Sequence, residues 1–311
     1  MVLTDLAGWE STLGTGISMQ FMAALKQFEL KGYCIFPGSV PDAICDNAIR
    51  SFESKYLNSH YEKYRDRNGH FPKLVNGHAA SKEIARVFSS NKLALGFADL
   101  LFGCRAGLYT SLFFQRGSSQ DMHIDAPYFR TIPENRYLGV WTALEKVDFE
   151  NGPLKVCEGG HRVKGPEPNS ILEELVPQEA NIKRFEVELW NRYQSELMIE
   201  CEKIGASVHT VCLDKGDTLV WHPRLPHGGA EILDYSRTRY SMVSHVVPSG
   251  TLTLQIDKFF KPERKVSFSE TLVNWLLWRV TKIHDRRWLF KRSGNFQIPV
   301  GSEGLEVYES L

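Results

Sequence analysis

The sequence predicts a mainly β protein with some α: a rolled antiparallel sandwich or barrel, with helices ahead of it and one helical insertion within it. Three observations lead there. Short runs of β-type residues bounded by Gly, Pro and Asn crowd the middle of the chain. Helical periodicity is concentrated before them and in one stretch that interrupts them. The 311 residues carry 42% hydrophobic and 24% charged side chains, an ordinary globular composition with enough length to bury a full core.

Taken in order, apolar residues recur at helical spacing from Ile17 (Phe21, Leu25, Phe28), pass through the run Tyr33 to Phe36, and resume after Pro41 (Ile44, Ile49, Phe52). This reads as helix, strand, helix. Residues 57–80 are polar and rich in Tyr, His, Asn and Gly, as expected of a long ordered loop, and a single helix is expected over Lys82 to Phe102. Strands are expected at Leu108 to Gln115, Tyr137 to Val147, Gly152 to Cys157, Val208 to Cys212, Asp217 to His222 and Thr238 to Val247. Between the third and fourth of these, Ser170 to Ile204 looks helical, so 162–207 is expected to be an inserted lid over one mouth of the barrel. The chain thus divides into an N-terminal helical layer (1–105), a β core (106–250) and a C-terminal extension (251–311) of a single domain.

Charge and cysteine usage narrow the function. With 37 basic and 37 acidic residues there is no overall field to attract nucleic acid, and none is expected as a partner. The cysteines Cys34, Cys45, Cys104, Cys157, Cys201 and Cys212 are scattered and form no C-x-x-C pair, which fits a reduced cytoplasmic setting. No secretory leader and no long apolar run is apparent, so secretion and membrane spanning are not expected.

The chemistry-bearing pattern is His123-Ile124-Asp125, followed far downstream by His227 in the turn-like context Leu225-Pro226-His227-Gly228-Gly229. Residues i and i+2 of an extended segment project to one side, so His123 and Asp125 can grip one ion while Ile124 points away. The third ligand then comes from a strand distant in sequence and near in space. Two His and one carboxylate on one face of iron(II) leave open positions for a 2-oxo acid, bound through two oxygens, and for O2. His222 is a candidate for orienting a ligand or a satisfied strand histidine; His161 reads as structural; His60, His70 and His78 lie in the polar loop.

Five segments in order resemble the phytanoyl-CoA dioxygenase family of 2-oxoglutarate oxygenases: Phe28 to Gly38, Phe113 to Tyr128, Val140 to Glu145, Glu150 to Arg162 and Lys215 to Ser241. The resemblance implies a double-stranded β-helix (jelly-roll, cupin-like) core with His123, Asp125 and His227 on Fe(II). It also implies 2-oxoglutarate as co-substrate and O2 as oxidant. An arginine beyond the distal histidine is expected to hold the far carboxylate of 2-oxoglutarate in a bidentate fork; Arg239 is preferred, with Ser241 on the same face, and Arg237 competes. Gln120 and Trp141 match family positions beside the co-substrate. Tyr109, Ser111 and Phe113, which share the parity of Gln115, and Tyr128 are candidates for lining the substrate cavity. The chain departs from the family where Gly229 replaces a frequent serine and Pro153-Leu154 replaces a threonine-bearing turn, both of which remove hydrogen bonds to 2-oxoglutarate. Asp125 in place of a small residue argues against halogenation.

What the resemblance implies is oxidative decarboxylation of 2-oxoglutarate to succinate and CO2, coupled to hydroxylation of a C–H bond in a small or medium organic substrate. Two other classes fit parts of the pattern. A cupin-like metal enzyme without 2-oxoglutarate would have no use for Arg239, and a catalytically silent binding module would not need the intact triad. Finally, 271–292 carries Trp275, Trp278 and Trp288 with Arg279, Lys282, Arg286, Arg287, Lys291 and Arg292. An amphipathic helix here would pack on the sandwich with its basic face in water, or make peripheral membrane contact.

Overall fold

The structure is a computed structural model that describes residues 15–57, 62–65, 69–178 and 180–254, and in the C-terminal extension 259–261, 268–269, 272, 282–283, 286–287, 295–299 and 305–308. Helix α1 (Thr15–Lys31), strand β1 (Tyr33–Phe36) and helix α2 (Asp42–Tyr56) open the chain in the expected order. The segment expected to be one loop holds a strand, β2 (Leu74–Val75), and a short helix, α3 (Gly77–Ala80). The single helix expected over Lys82 to Phe102 is two, α4 (Lys82–Ser90) and α5 (Lys92–Phe102). Asn91 makes the break. Its buried side chain caps α5 by accepting from the Ala94 amide, accepts from Ser39 Oγ at 3.0 Å and donates to Thr218 Oγ1 at 2.9 Å, tying the helices to the sheet.

Then come β3 (Ala106–Phe114), β4 (Arg130–Ile132), β5 (Leu138–Ala143), β6 (Leu154–Glu158), β7 (Ser207–Val211), β8 (Thr218–Trp221), β9 (His227–Gly229), β10 (Ser241–Pro248) and β11 (Leu252–Leu254). The insertion between β6 and β7 folds as α6 (Pro168–Leu175) and α7 (Glu186–Lys203). Two further strands, β12 (Lys282–Ile283) and β13 (Arg286–Arg287), pair with each other, and β14 (Asn295–Pro299) and β15 (Leu305–Tyr308) end the chain. The expectation of an amphipathic helix over 271–292 is therefore corrected at those four paired residues, and the rest of that segment, its tryptophans included, lies outside the described residues except for Leu272. So does His60.

Among the described residues all strand pairings are antiparallel. An eight-stranded sheet runs β1-β8-β5-β10-β3-β2-β14-β15, and a three-stranded sheet runs β7-β6-β9. Side-chain alternation sorts the large sheet into two faces. Val140, Met242, Val246, Leu108 and Phe113 turn outward and pack with Phe28, Phe52 and Phe97 of the helical layer. Trp141, Val243, Leu219 and Trp221 turn inward to meet Leu154, Val156 and Val211 of the small sheet. A third cluster joins the insertion to the core through Ile124, Ala126, Leu189, Tyr193 and Leu197. Among the described residues, no helix is long and apolar enough to cross a membrane.

Candidate metal centre and its surroundings

His123 and His227 face each other across a backbone bridge in which each amide donates to the other's carbonyl at 2.8 Å. The bridge extends the small sheet by one pair beyond β9, so His227, despite its turn-like sequence context, is the first residue of a strand, as expected of the third ligand. The two imidazoles lie with centroids 4.6 Å apart. In both, Nδ1 hydrogen-bonds the carbonyl two residues back: Asp121 O at 2.7 Å for His123 and Leu225 O at 3.0 Å for His227. Each Nδ1 therefore carries the proton and each Nε2 presents a lone pair. Asp125 completes the set, with Oδ1 3.8 Å from His123 Nε2 and Oδ2 3.5 Å from His227 Nε2. One donor atom from each of the three lies within 4.8 Å of the others, and all three residues are buried.

The protonation states suit a cation. Burial disfavours charge on His123 and, with the neighbouring His227, brings its pKa down to about 4. Burial likewise lowers His227. Burial opposes ionisation of Asp125, but His227 and His245 outweigh it and hold the carboxyl well below its usual range. Two neutral imidazoles and one carboxylate on one side of a buried point are the donors a divalent transition ion requires.

Further residues, missed by sequence reasoning, hold this arrangement. Gln194 of α7 grips Ile124, the residue between two ligands, by both backbone groups: the Ile124 amide donates to Oε1 at 3.0 Å and Nε2 donates to the Ile124 carbonyl at 3.0 Å. Trp221 of β8 lies on His227 with centroids 4.4 Å apart, in space left by its strand neighbour Gly139, where a Cβ would fall 1.9 Å from the indole. His245 of β10 sits with Nε2 3.0 Å from Asp125 Oδ2. Half-buried Lys73, leading into β2, is close enough to Asp125 and His123 for their charges to couple, and makes no hydrogen bond or ion pair with any described residue. A helix-borne glutamine, a core tryptophan and a loop lysine carry no sequence pattern of their own; His245 could have been found by its parity with Ser241, two rungs along the same strand.

Arg239 and Arg237 separate cleanly. Arg237 reaches outward to a bidentate ion pair with Asp148, at 2.8 Å, and to Glu150. Arg239 is buried, its guanidinium 5.5 Å from the Trp141 ring and 5.7 Å from that of Phe114, and it has no ion-pair partner among the described residues. Burial lowers its pKa to about 10, which leaves it charged at neutral pH. Arg239 donates to the Arg116 carbonyl at 3.2 Å, but its Nε is buried without a hydrogen-bond partner, as is Ser241 Oγ; Trp221 Nε1, beside His227, is a third such group. A buried cation with an orphaned donor and no carboxylate partner is a place prepared for an anion.

Other expected positions fall elsewhere. Ser111 and Phe113 point away from the interior: Ser111 Oγ meets His78 Nδ1 at 2.6 Å, and Phe113 stacks on Phe52 of α2. Gln115, whose parity they share, faces the same outer layer and accepts from the Phe71 amide. The inward residues of β3 are Leu112 and Phe114. Tyr109 packs with Tyr137, Val247 and Phe129. Gln120 is exposed, and it is its backbone carbonyl, accepting from the Gly229 amide, that shapes the site. Tyr128 is half-exposed and lies 4.7 Å from Trp190 of α7, whose ring is in turn 5.6 Å from His123. The family serine replaced by Gly229 has no room here, since a Cβ would lie 2.8 Å from the Ser119 amide nitrogen. His161 Nε2 donates to the Glu29 carbonyl at 3.0 Å and the ring packs against His222, in a cluster apart from the triad.

A buried two-histidine, one-carboxylate triad set between the sheets of a jelly roll defines a metalloprotein of the double-stranded β-helix class. The family model described as phytanoyl-CoA dioxygenase (PhyH) matches residues 28–233, and the chain belongs to that family. The bovine peroxisomal phytanoyl-CoA dioxygenase is 34% identical over 118 residues, covering 37% of this chain and 29% of that protein's length; the rat protein is 32% identical over 114 residues, with the same coverage. Solved structures share the fold. The epimerase SnoN, in complex with Fe3+, alpha ketoglutarate and nogalamycin RO, superposes with a TM-score of 0.59 at 16% identity, over 80% of this chain and 93% of its own. Apo EctD from S. alaskensis gives 0.52 at 16% identity, over 78% of this chain and 80% of its own.

Proposed function

We propose that this protein is an iron(II)- and 2-oxoglutarate-dependent dioxygenase that hydroxylates a C–H bond of a small or medium organic substrate and releases succinate and CO2. The observation that carries the reading is a pairing: a buried metal-donor triad, and a buried arginine without a carboxylate partner packed on Trp141, in the same inward cluster as the Trp221 that lies on His227. A cupin-like metal enzyme that does not use a 2-oxo acid would have no reason to keep the second feature, because an unpaired buried cation costs several kcal/mol.

In this reading His123, Asp125 and His227 hold iron(II), which when bound supplies the activation of O2 and the decarboxylation of the 2-oxo acid. Arg239 binds the distal carboxylate of 2-oxoglutarate, supported by Ser241 and flanked by Trp141. Lys73 offers a second cation to anionic ligands at the metal. Tyr128 and Trp190 form an aromatic wall on the approach to His123, and α6 and α7 cover the site and exclude water. Arg237 is structural. A cytoplasmic setting is supported by six cysteines that are all free.

Succinate production tests the proposal. Purified protein given iron(II), ascorbate, O2 and 2-oxoglutarate is expected to release succinate slowly without substrate and faster with a cognate one. Release that persists unchanged in Asp125→Ala would refute it.

A further inference from the structure

His245 is the one side chain that hydrogen-bonds Asp125 among the described residues. It shares the inward face of β10 with Val243 and Ser241, and the backbone register against β3 slips between His245 and Val246. The extra residue is Tyr109 of β3, and β10 itself stays in regular register with β5 through His245 and Val246. The imidazole is held on two sides. Phe129 stacks on it with centroids 4.1 Å apart and planes inclined by 26°, and Trp221 meets it edge-on at 6.3 Å. Phe129 is in turn fixed by the turn that Asp125 begins, its amide donating to the Asp125 carbonyl at 3.0 Å. Nδ1 is buried without a partner. An acceptor carboxylate on Nε2 and nothing on Nδ1 select the tautomer with its proton on Nε2.

We infer that His245 is a positioning residue for the metal's carboxylate ligand: by donating from Nε2 to Oδ2 it fixes the rotation of Asp125 and leaves Oδ1 as the oxygen free to bind. The inference rests on the triad holding a metal, and it adds a restraint on how the carboxylate binds. A carboxylate with one oxygen occupied takes up one coordination position, where a freely rotating one can take two. His245 thereby keeps positions on the open side available for ligands, and Phe129 and Trp221 lock the ring that does so.

Cobalt(II) titration of the full-length protein, read by dissociation constant and by the visible d–d spectrum, tests this in wild type, His123→Ala, His245→Phe and His245→Gln. Phenylalanine keeps the ring stack and removes the donor; glutamine places an amide nitrogen at about the reach of Nε2. We expect His245→Phe to weaken binding by about 10- to 100-fold and to shift the spectrum, and His245→Gln to return both to within about threefold of wild type. Wild-type affinity and spectrum in His245→Phe would overturn the inference, as would binding by a folded His245→Gln as weak as that of His245→Phe. Should His245→Phe not fold, the glutamine variant decides alone: wild-type-like binding supports the inference and weakened binding with an altered spectrum overturns it. Wild type that binds no cobalt, or His123→Ala that binds it equally well, would instead remove the metal reading of the triad and the inference with it.

Discussion

Arg239 and Arg237 stand two residues apart with the same parity, yet one is buried beside Trp141 and the other is paired at the surface with Asp148 and Glu150. Their substitutions should therefore differ in kind. Arg239→Met is expected to raise the KM for 2-oxoglutarate by at least about 100-fold, the loss of one charge-assisted fork of roughly 3 kcal/mol, while iron affinity stays unchanged. Arg237→Met should leave that KM alone and cost at most about 1 kcal/mol of stability in denaturant titration. At this scale the triad was legible because His-x-Asp and a distant His are a spacing that metal chemistry dictates. The choice between the arginines was not, since parity alone cannot say which of two neighbours lies deeper. Nor could it fix the face of β3: Ser111 and Phe113 do share one side with Gln115, but that side packs on Phe52 and His78.

The elements that matter most to the site are ones whose sequence looks ordinary. Helix α7 contributes Gln194, which acts as a strand-like partner for Ile124 and so stiffens the segment carrying two ligands. Gln194→Ala would leave a buried amide and a buried carbonyl unpaired, at about 1–3 kcal/mol each. We expect a drop of about 2–6 kcal/mol in unfolding free energy and weakened metal binding, with the rest of the helix intact by circular dichroism. Conversely, the longer strands β3, β5, β6, β7, β8 and β10, with β1, were readable because alternation and turn residues act locally, whereas the two- and three-residue strands β2, β4 and β11 are too short to show a period. The break between α4 and α5 was not readable either, because Asn91 ends one helix through partners, Ser39 and Thr218, that only the tertiary fold brings near. The extent of the short strand β9 was hidden for the same reason: its sequence is turn-like, and its pairing lies with β6 and with His123.

Across the whole molecule, burial keeps several histidines neutral, and this sets how stability follows pH. His78 and His222 each have a pKa near 3, lowered chiefly by burial, against about 6.5 in an unfolded chain. Between those values the unfolded chain takes up protons that the folded one refuses, so stability is complete above about pH 6.5 and falls as pH drops toward 3. By pH 5 the loss is about 2 kcal/mol for each such histidine. Urea titrations at pH 7.5 and pH 5 should show it, and His78→Gln should reduce the difference. The layered design explains why so much chemistry is buried: the helical layer closes the outer face of the large sheet, the insertion covers Ile124, and the triad lies between the two sheets. The most direct measurement is anaerobic titration of the protein with iron(II) and 2-oxoglutarate, followed by visible absorption, in wild type and in Asp125→Ala. The account predicts a weak charge-transfer band of a chelated 2-oxo acid in wild type that is absent from the variant. Iron binding in wild type without that band, at saturating 2-oxoglutarate, would contradict it.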